Sequence, residues 1–411
     1  MFSAIDRFCV IFLAIVPLLQ HYKGPLFNAG VTVLVALFPI LLFRIMQSSV
    51  RLYLYDLVSV VPLIVYFIFR IIDHGSDFIK FSHYSLLIFY FVVAAFGCID
   101  LDYFINIATR VAILACALIL LQYICYYLLR FHLQLVYTKL LLPEAEHWVL
   151  LAKTGLIGIK GIVSKFYRPS AFFLEPSHMF LYIYPIFLLL LFSRIRSKLN
   201  LKYALFLSFG LLLSTSGMAI GVLAASWLAY LLLFDRQEKK LKMSRLFTFR
   251  SILIILLFLS LFLVLYVSIP FFSQSVDRII GGRNEGSSAI SGRTTRGFNL
   301  IRGLSGRELW LGVSESVEGI NYNLSGFVAT MYKYGLVGLI LSYIYYFRSV
   351  LVLETSYALV AIVTIVVSIF SAHTHGTFFM LYLVFILLRG YSARMLINKN
   401  RVCLEGGTPL T

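Results

Sequence analysis

The chain has 411 residues, 61% of them hydrophobic and 13% charged, with a mean hydropathy of +0.92. No soluble domain of this size covers so much apolar surface, so the class is membrane protein. The net charge of +17 does not point to nucleic acid, because no basic tract with interleaved aromatics sits on a soluble domain; the excess follows from topology under the positive-inside rule.

A helix needs about 20 apolar residues to cross the hydrocarbon. Blocks of that kind predict an all-α, polytopic bundle of about twelve spans, near 8–21, 26–46, 52–71, 82–98, 104–128, 171–193, 201–215, 217–234, 251–272, 326–347, 350–371 and 376–390. The blocks are continuous rather than alternating, which disfavours a β-barrel. The whole of 1–411 reads as one polytopic domain. Only Asp6 and Arg7 precede the first span and no small-residue cleavage site follows it, so it reads as a retained helix. Cys9, Cys98, Cys116, Cys125 and Cys403 make no disulfide framework, CxxC pair or zinc spacing.

With the N-terminus inside, the inner segments carry Arg44 and Arg51, then Arg194, Arg196, Lys198 and Lys202, then Arg236 to Arg250, then Arg348 and Arg389 to Arg401. The short outer loops carry only Lys23, Arg70 and Lys80. Both termini are therefore expected in the cytoplasm, with long external loops at about 129–170 and 273–325. The second loop holds Arg278, Arg283, Arg293, Arg296, Arg302 and Arg307 and no lysine. Arginine alone suggests planar, bidentate recognition of phosphate or carboxylate, although a solvated loop is the plainer alternative.

The stretch FYRPSAFFLEPSHMFLY, 166–182, concentrates polar residues at the mouth of an apolar run. Proline disfavours helix in the residue before it, so Glu175 is not mid-helix, and Pro176 suits a first helical position. The helix is expected from Pro176 to Phe192, with SAFFL at 170–174 as a non-helical cavity wall. Two readings stand for Arg168 and Glu175. One makes Glu175 a helix cap with Arg168 as its ion partner. The other makes them a site for a phosphate-bearing substrate, with His178 nearby and Glu175 as base or as acceptor from a sugar hydroxyl.

SAHTHG, 371–376, places His373 and His375 two apart in an apolar context. A metal needs more ligands than this spacing provides; a general base, a phosphate contact or an interfacial role remain. STSGMAIG, 214–221, is a turn of small residues, for which close helix packing is the leading reading. Lys333 is a costly charge on the outer half of the tenth span and is expected to join the site. All of these clusters open on one face.

Here a family resemblance enters. RPSAFFLEPSHMFLY is similar to the Arg-x-Ser-Gly/Ala-x-x-x-Glu-Pro-Ser stretch of Wzy-type polysaccharide polymerases, which make O-antigen and capsule. LLLSTSGMAIGVL (211–223) resembles their Ser-x-Ser turn, SGRTTRGFNLIRG followed by LWLGV (291–313) their Ser-Gly-Arg segment, and YKYGLVGLILSY (332–343) their Tyr-Gly-x-x-Gly span. The similarity runs over roughly 165–390.

The resemblance implies a GT-C-type membrane glycosyltransferase. It would join oligosaccharide repeat units carried on undecaprenyl pyrophosphate at the outer face of a bacterial inner membrane. A chain-length regulator and a flippase are its implied partners. Arg168, Arg293 and Arg296 would bind pyrophosphate, and Glu175 would orient or deprotonate the acceptor hydroxyl. The family's histidine before the Gly-x-x-Gly span is absent from INYNLSGF (320–327), so its role would fall to His373 or His375. No cofactor is expected, and the transfer is expected to be metal-independent. An O-antigen ligase using the same donor is the nearest alternative. A flippase for the lipid-linked oligosaccharide is the alternative from another class, although polar residues gather at one face and no repeated halves are visible.

Overall fold

The computed structural model describes residues 4–25, 28–47, 61–62, 65–66, 68–69, 72, 93, 97, 99–142, 168–193, 198–235, 238, 240–269, 272–273, 276–277, 297–313, 324–371 and 377–405. These residues are overwhelmingly helical, as the composition demands: with no water to satisfy them, backbone groups in hydrocarbon must bond within their own segment. Most of the expected span at 52–71, and nearly all of that at 82–98, lies outside the described residues.

The helices are α1 (Ala4–Leu19), α2 (Ala29–Gln47), α3 (Leu101–Tyr123), α4 (Pro176–Leu191), α5 (Lys198–Leu213), α6 (Gly217–Leu232), α7 (Phe249–Ser268), α8 (Gly306–Leu311), α9 (Gly326–Val352), α10 (Thr355–Phe370) and α11 (Thr377–Glu405). Among the described residues, four stretches are long and apolar enough to cross a membrane by themselves: Ala29–Met46, Leu101–Leu128, Phe249–Ser268 and Gly326–Val352. Helices α4, α5, α6 and α10 are shorter and equally apolar, as is Phe378–Ser392 within α11. The described residues are thus mostly helical and consistent with an all-α membrane protein.

Local chemistry sets the helix starts. Asp100 accepts from the Tyr103 amide at 2.9 Å, and Ser325 accepts from the Val328 amide at 3.4 Å. Pro176 occupies the first turn of α4 and Glu175 before it is extended (φ −139°, ψ 155°). Helix α4 is the centre of the bundle and packs on α3, α5, α6, α10 and α11. Its residues from His178 to Leu188 are all buried. Tyrosine hydroxyls there bond to neighbours rather than to water. Tyr182 donates to Ala14 O of α1 at 2.9 Å, Tyr382 of α11 donates to Tyr182 O at 3.0 Å, and Tyr184 meets Thr364 Oγ1 of α10 at 2.7 Å. Leaving such groups unpaired in hydrocarbon would cost several kcal/mol each, so these bonds select one packing.

Charges mark one end of the bundle. Arg44 of α2 pairs with buried Asp6 of α1, and Arg389 of α11 pairs with Asp102 of α3. A two-stranded turn, β1 (Phe234–Asp235) with β2 (Lys240–Leu241), holds buried Asp235 against Lys242 at 2.9 Å and Arg245 at 2.8 Å. Glu238 and then Asp235 raise the Lys242 ammonium pKa by hydrogen bonding to it. Two of the cations counted for topology therefore also neutralise a buried carboxylate.

The other end is knit by different bonds. Tyr123 donates to Leu213 O at 2.8 Å, the Gly326 amide to Ser371 O at 2.7 Å, and the Lys23 amide to Leu140 O at 2.7 Å. This end carries the candidate site.

The tenth expected span, 326–347, is not one continuous helix: α9 breaks at Gly335 (φ 63°, ψ −171°). Hydropathy is blind to this break because a neighbouring segment imposes it. A Cβ at Gly335 would lie 2.3 Å from Trp310 O of α8, and one at Gly312 (φ 82°) would lie 2.4 Å from the Lys333 carbonyl. The carbonyls freed by the break are taken up by the Val313 amide, which donates to Tyr332 O at 2.9 Å, and by the Tyr66 hydroxyl, which donates to Tyr334 O. Gly335→Ala should therefore lower stability by about 3 kcal/mol or more. Gly303→Ala, with nothing closer than 3.4 Å, should stay within about 0.5 kcal/mol. Thermal unfolding of the two purified variants in detergent checks the contrast.

Candidate active site

A cavity of about 730 Å³ opens between α4, α6 and α10. That volume and its sparse polar groups fall in the range of small-molecule sites. Arg168, Glu175, Ser177, Ser216 and Gly217 line one end; Leu188, Phe192, Ala229 and Leu359 line the other. From Gly217 to Ala229 the α6 wall runs for about 18 Å at 1.5 Å per residue. The result is a long apolar slot with a charged mouth.

Several elements bring the mouth together. The segment 168–175 is non-helical, as the two prolines lead one to expect. Ala171 sits at φ 52° and its amide donates to Gln122 Oε1 at 2.9 Å. Gln122 is a buried side chain near the end of α3, and its Nε2 donates to Leu133 O at 3.1 Å. The end of α3 widens into a π turn over Ile124–Leu128, a feature frequent near functional sites. Arg168 Nε donates to Thr215 Oγ1, in the turn before α6, at 3.4 Å.

Glu175 is the N-cap residue of α4 by position, but its side chain makes no capping bond; its Oε2 accepts from Ser177 Oγ at 2.9 Å. The carboxylate is thus turned to the cavity side, not spent on the helix start. A second helix start faces the same mouth. Ser216 precedes Gly217 at the start of α6 and makes no side-chain cap bond. First-turn amides have no intrahelical acceptor, so this start, with its dipole and Arg168, favours an anion.

The turn 214–221, for which close helix packing is the leading expectation, divides between packing and cavity wall: Ser214, Thr215, Ala219 and Ile220 are buried and do not line the cavity, whereas Ser216, Gly217, Met218 and Gly221 do. Gly217, Gly221, Ala225 and Ala229 all line the cavity, and a Cβ at Gly221 would meet nothing within 4 Å. Gly210 differs from Gly221 in being closely packed: a Cβ there would lie 2.3 Å from Cys116 Sγ.

No family model matches the sequence, and no curated protein matches it either.

The remaining expected residues scatter. His178 is 2% exposed and absent from the cavity wall; it stacks on His21 with ring centroids 4.8 Å apart and lies 6.0 Å from the Phe379 ring. Lys333 sits at the break of α9, two residues before Gly335, and does not line the cavity. Arg293, Arg296, His373 and His375 lie outside the described residues. Gln122, Thr215 and His21 were not singled out from sequence. Only Thr215 carried a signal there, as a polar member of a short turn between two apolar runs.

Proposed function

We propose that the cavity binds the lipid-linked donor of a membrane polysaccharide polymerase. The supporting observation is the arrangement of a cationic, helix-start mouth with a carboxylate above a long apolar slot. An amphiphile with an anionic head and a hydrocarbon tail is complementary to both halves. In this reading Arg168 and the start of α6 hold the pyrophosphate of an undecaprenyl-linked oligosaccharide. The tail lies along Gly221, Ala225 and Val363. Glu175 takes the proton of the acceptor hydroxyl as its oxygen attacks the anomeric carbon. The bond from that carbon to the phosphate breaks, and the charge that develops on the leaving pyrophosphate is met by Arg168.

The finer features belong to the same proposal. They are a GT-C-like bundle of about twelve spans, cytoplasmic termini, and a mouth opening on the outer face of a bacterial inner membrane. The Lys/Arg asymmetry of the loops supports the orientation. Arg293 and Arg296 as further phosphate contacts, and His373 or His375 as the proton-handling histidine, rest on the sequence pattern and the family resemblance.

The test is direct. Purified protein incubated with undecaprenyl-pyrophosphate-linked repeat units should build polymer, and a metal chelator should leave the rate unchanged. Transport of the lipid across vesicles with no polymer formed would replace this reading with the flippase. Transfer to a lipid A-core acceptor, with no polymer of repeat units, would replace it with the ligase.

A further inference from the structure

Among the described residues, three that are not glycine have a positive φ: Arg130 (54°), Ala171 (52°) and Thr215 (55°). Ala171 and Thr215 flank the cavity mouth, and Arg130 lies three residues before Leu133, the carbonyl partner of Gln122. Thr215 is the least expected of the three. Its β-branch makes a left-handed backbone a true outlier, and glycine or asparagine would make the same turn without strain. Strain of this kind gathers where a side chain must be aimed.

The turn itself does not require the hydroxyl. The Thr215 amide closes it by donating to Leu212 O at 3.1 Å, and Ser214 Oγ donates to Leu211 O at 2.7 Å. The Thr215 hydroxyl instead reaches across to Arg168 Nε, and the residue is 5% exposed. Nε lies at the base of the planar fork, so a bond there helps to orient the group without using the two terminal nitrogens that make a bidentate contact. Arg168 comes from a non-helical segment with no helix to hold its direction.

We infer that Thr215 is a positioning residue: its strained turn aims a hydroxyl that helps to orient the Arg168 guanidinium for a lipid diphosphate. This inference rests on the proposed role of Arg168 at the cavity mouth. It adds what that reading lacks, a reason for a β-branched residue at φ 55°.

The experiment compares two probes on the full-length protein in detergent, farnesyl diphosphate and farnesol. Both offer the same tail, so the ratio of their affinities isolates the head contacts. Thr215→Val and Thr215→Gly should each cut that ratio by about tenfold, the loss of one hydrogen bond that organises a charged group. Farnesol affinity should stay at the parent value. The Gly variant should melt no lower than the parent, because the backbone strain is relieved. Thr215→Ser keeps the hydroxyl and should hold the ratio within about twofold. Arg168→Ala should remove most of the preference for the diphosphate.

A parent-like ratio in both Thr215→Val and Thr215→Gly, with the ratio lost in Arg168→Ala, overturns the positioning role and leaves the diphosphate site intact. A parent-like ratio in Arg168→Ala overturns both. Equal loss of diphosphate and farnesol binding in all three Thr215 variants makes Thr215 a turn residue only.

Discussion

Glu175→Gln should lower polymer formation by at least about 100-fold while the protein stays folded in the membrane. A positioned general base contributes roughly 10² to 10⁴ in rate, and glutamine keeps the shape of the side chain but cannot take a proton. The structure sets the stability cost low. The Glu175 side chain makes no cap bond to α4, and its contact with Ser177 Oγ can be kept by an amide oxygen. The expected cost is therefore about 1 kcal/mol or less. Ser177→Ala serves as the control, because it removes the same contact and leaves the carboxylate. Cells carrying the Gln variant should accumulate single repeat units on the lipid carrier, and the purified variant should consume donor at the background rate. Polymer at the parent rate would take Glu175 out of the chemistry and leave the cavity as a lipid site with another base.

Part of this site is legible in the sequence and part is not, for definite physical reasons. The start of α4 is legible because proline acts locally. Pro176 sets its own φ and pushes Glu175 into extended backbone whatever surrounds them. The expected end at Phe192 differs from the observed Leu191 by one residue. Most other apolar runs are equally readable, since hydrocarbon admits only segments that satisfy their own backbone.

Gly335 is different. Its break depends on Trp310, Gly312 and Tyr66, and those contacts exist only after folding. Gly210 and Gly221 are both glycines in apolar helices, yet one presses on a cysteine and the other faces open space. Composition cannot tell a void from a contact, so it does not show that Gly217 and Gly221 at the start of α6 line a cavity while Ser214 and Thr215 just before them are packed. His21 beside His178, and Gln122 beside Ala171, are likewise tertiary pairings without a local signature.

Gly221→Phe tests the apolar half of the site. A Cβ there meets nothing within 4 Å, so the ring has room to enter the slot without moving the backbone. Glycine inside a helix costs about 1 kcal/mol relative to good helix formers, and filling a cavity adds apolar contacts. The variant should therefore melt at or above the parent temperature. Its donor binding should collapse. Each 100 Å² of hydrocarbon tail kept out of the slot forfeits about 2.5 kcal/mol, or roughly 70-fold in affinity. Leu231→Phe, on the exposed side of the same helix, should change neither stability nor donor binding by much. The signature that separates a tail slot from a structural void is the combination of raised stability with lost affinity for both farnesyl diphosphate and farnesol. Head and tail then fail independently: Thr215 and Arg168 variants lose only the diphosphate preference, and Gly221→Phe loses both ligands. Parent-like donor affinity in Gly221→Phe would place the tail in the surrounding bilayer, and Arg168 with Glu175 would then have to capture the head alone.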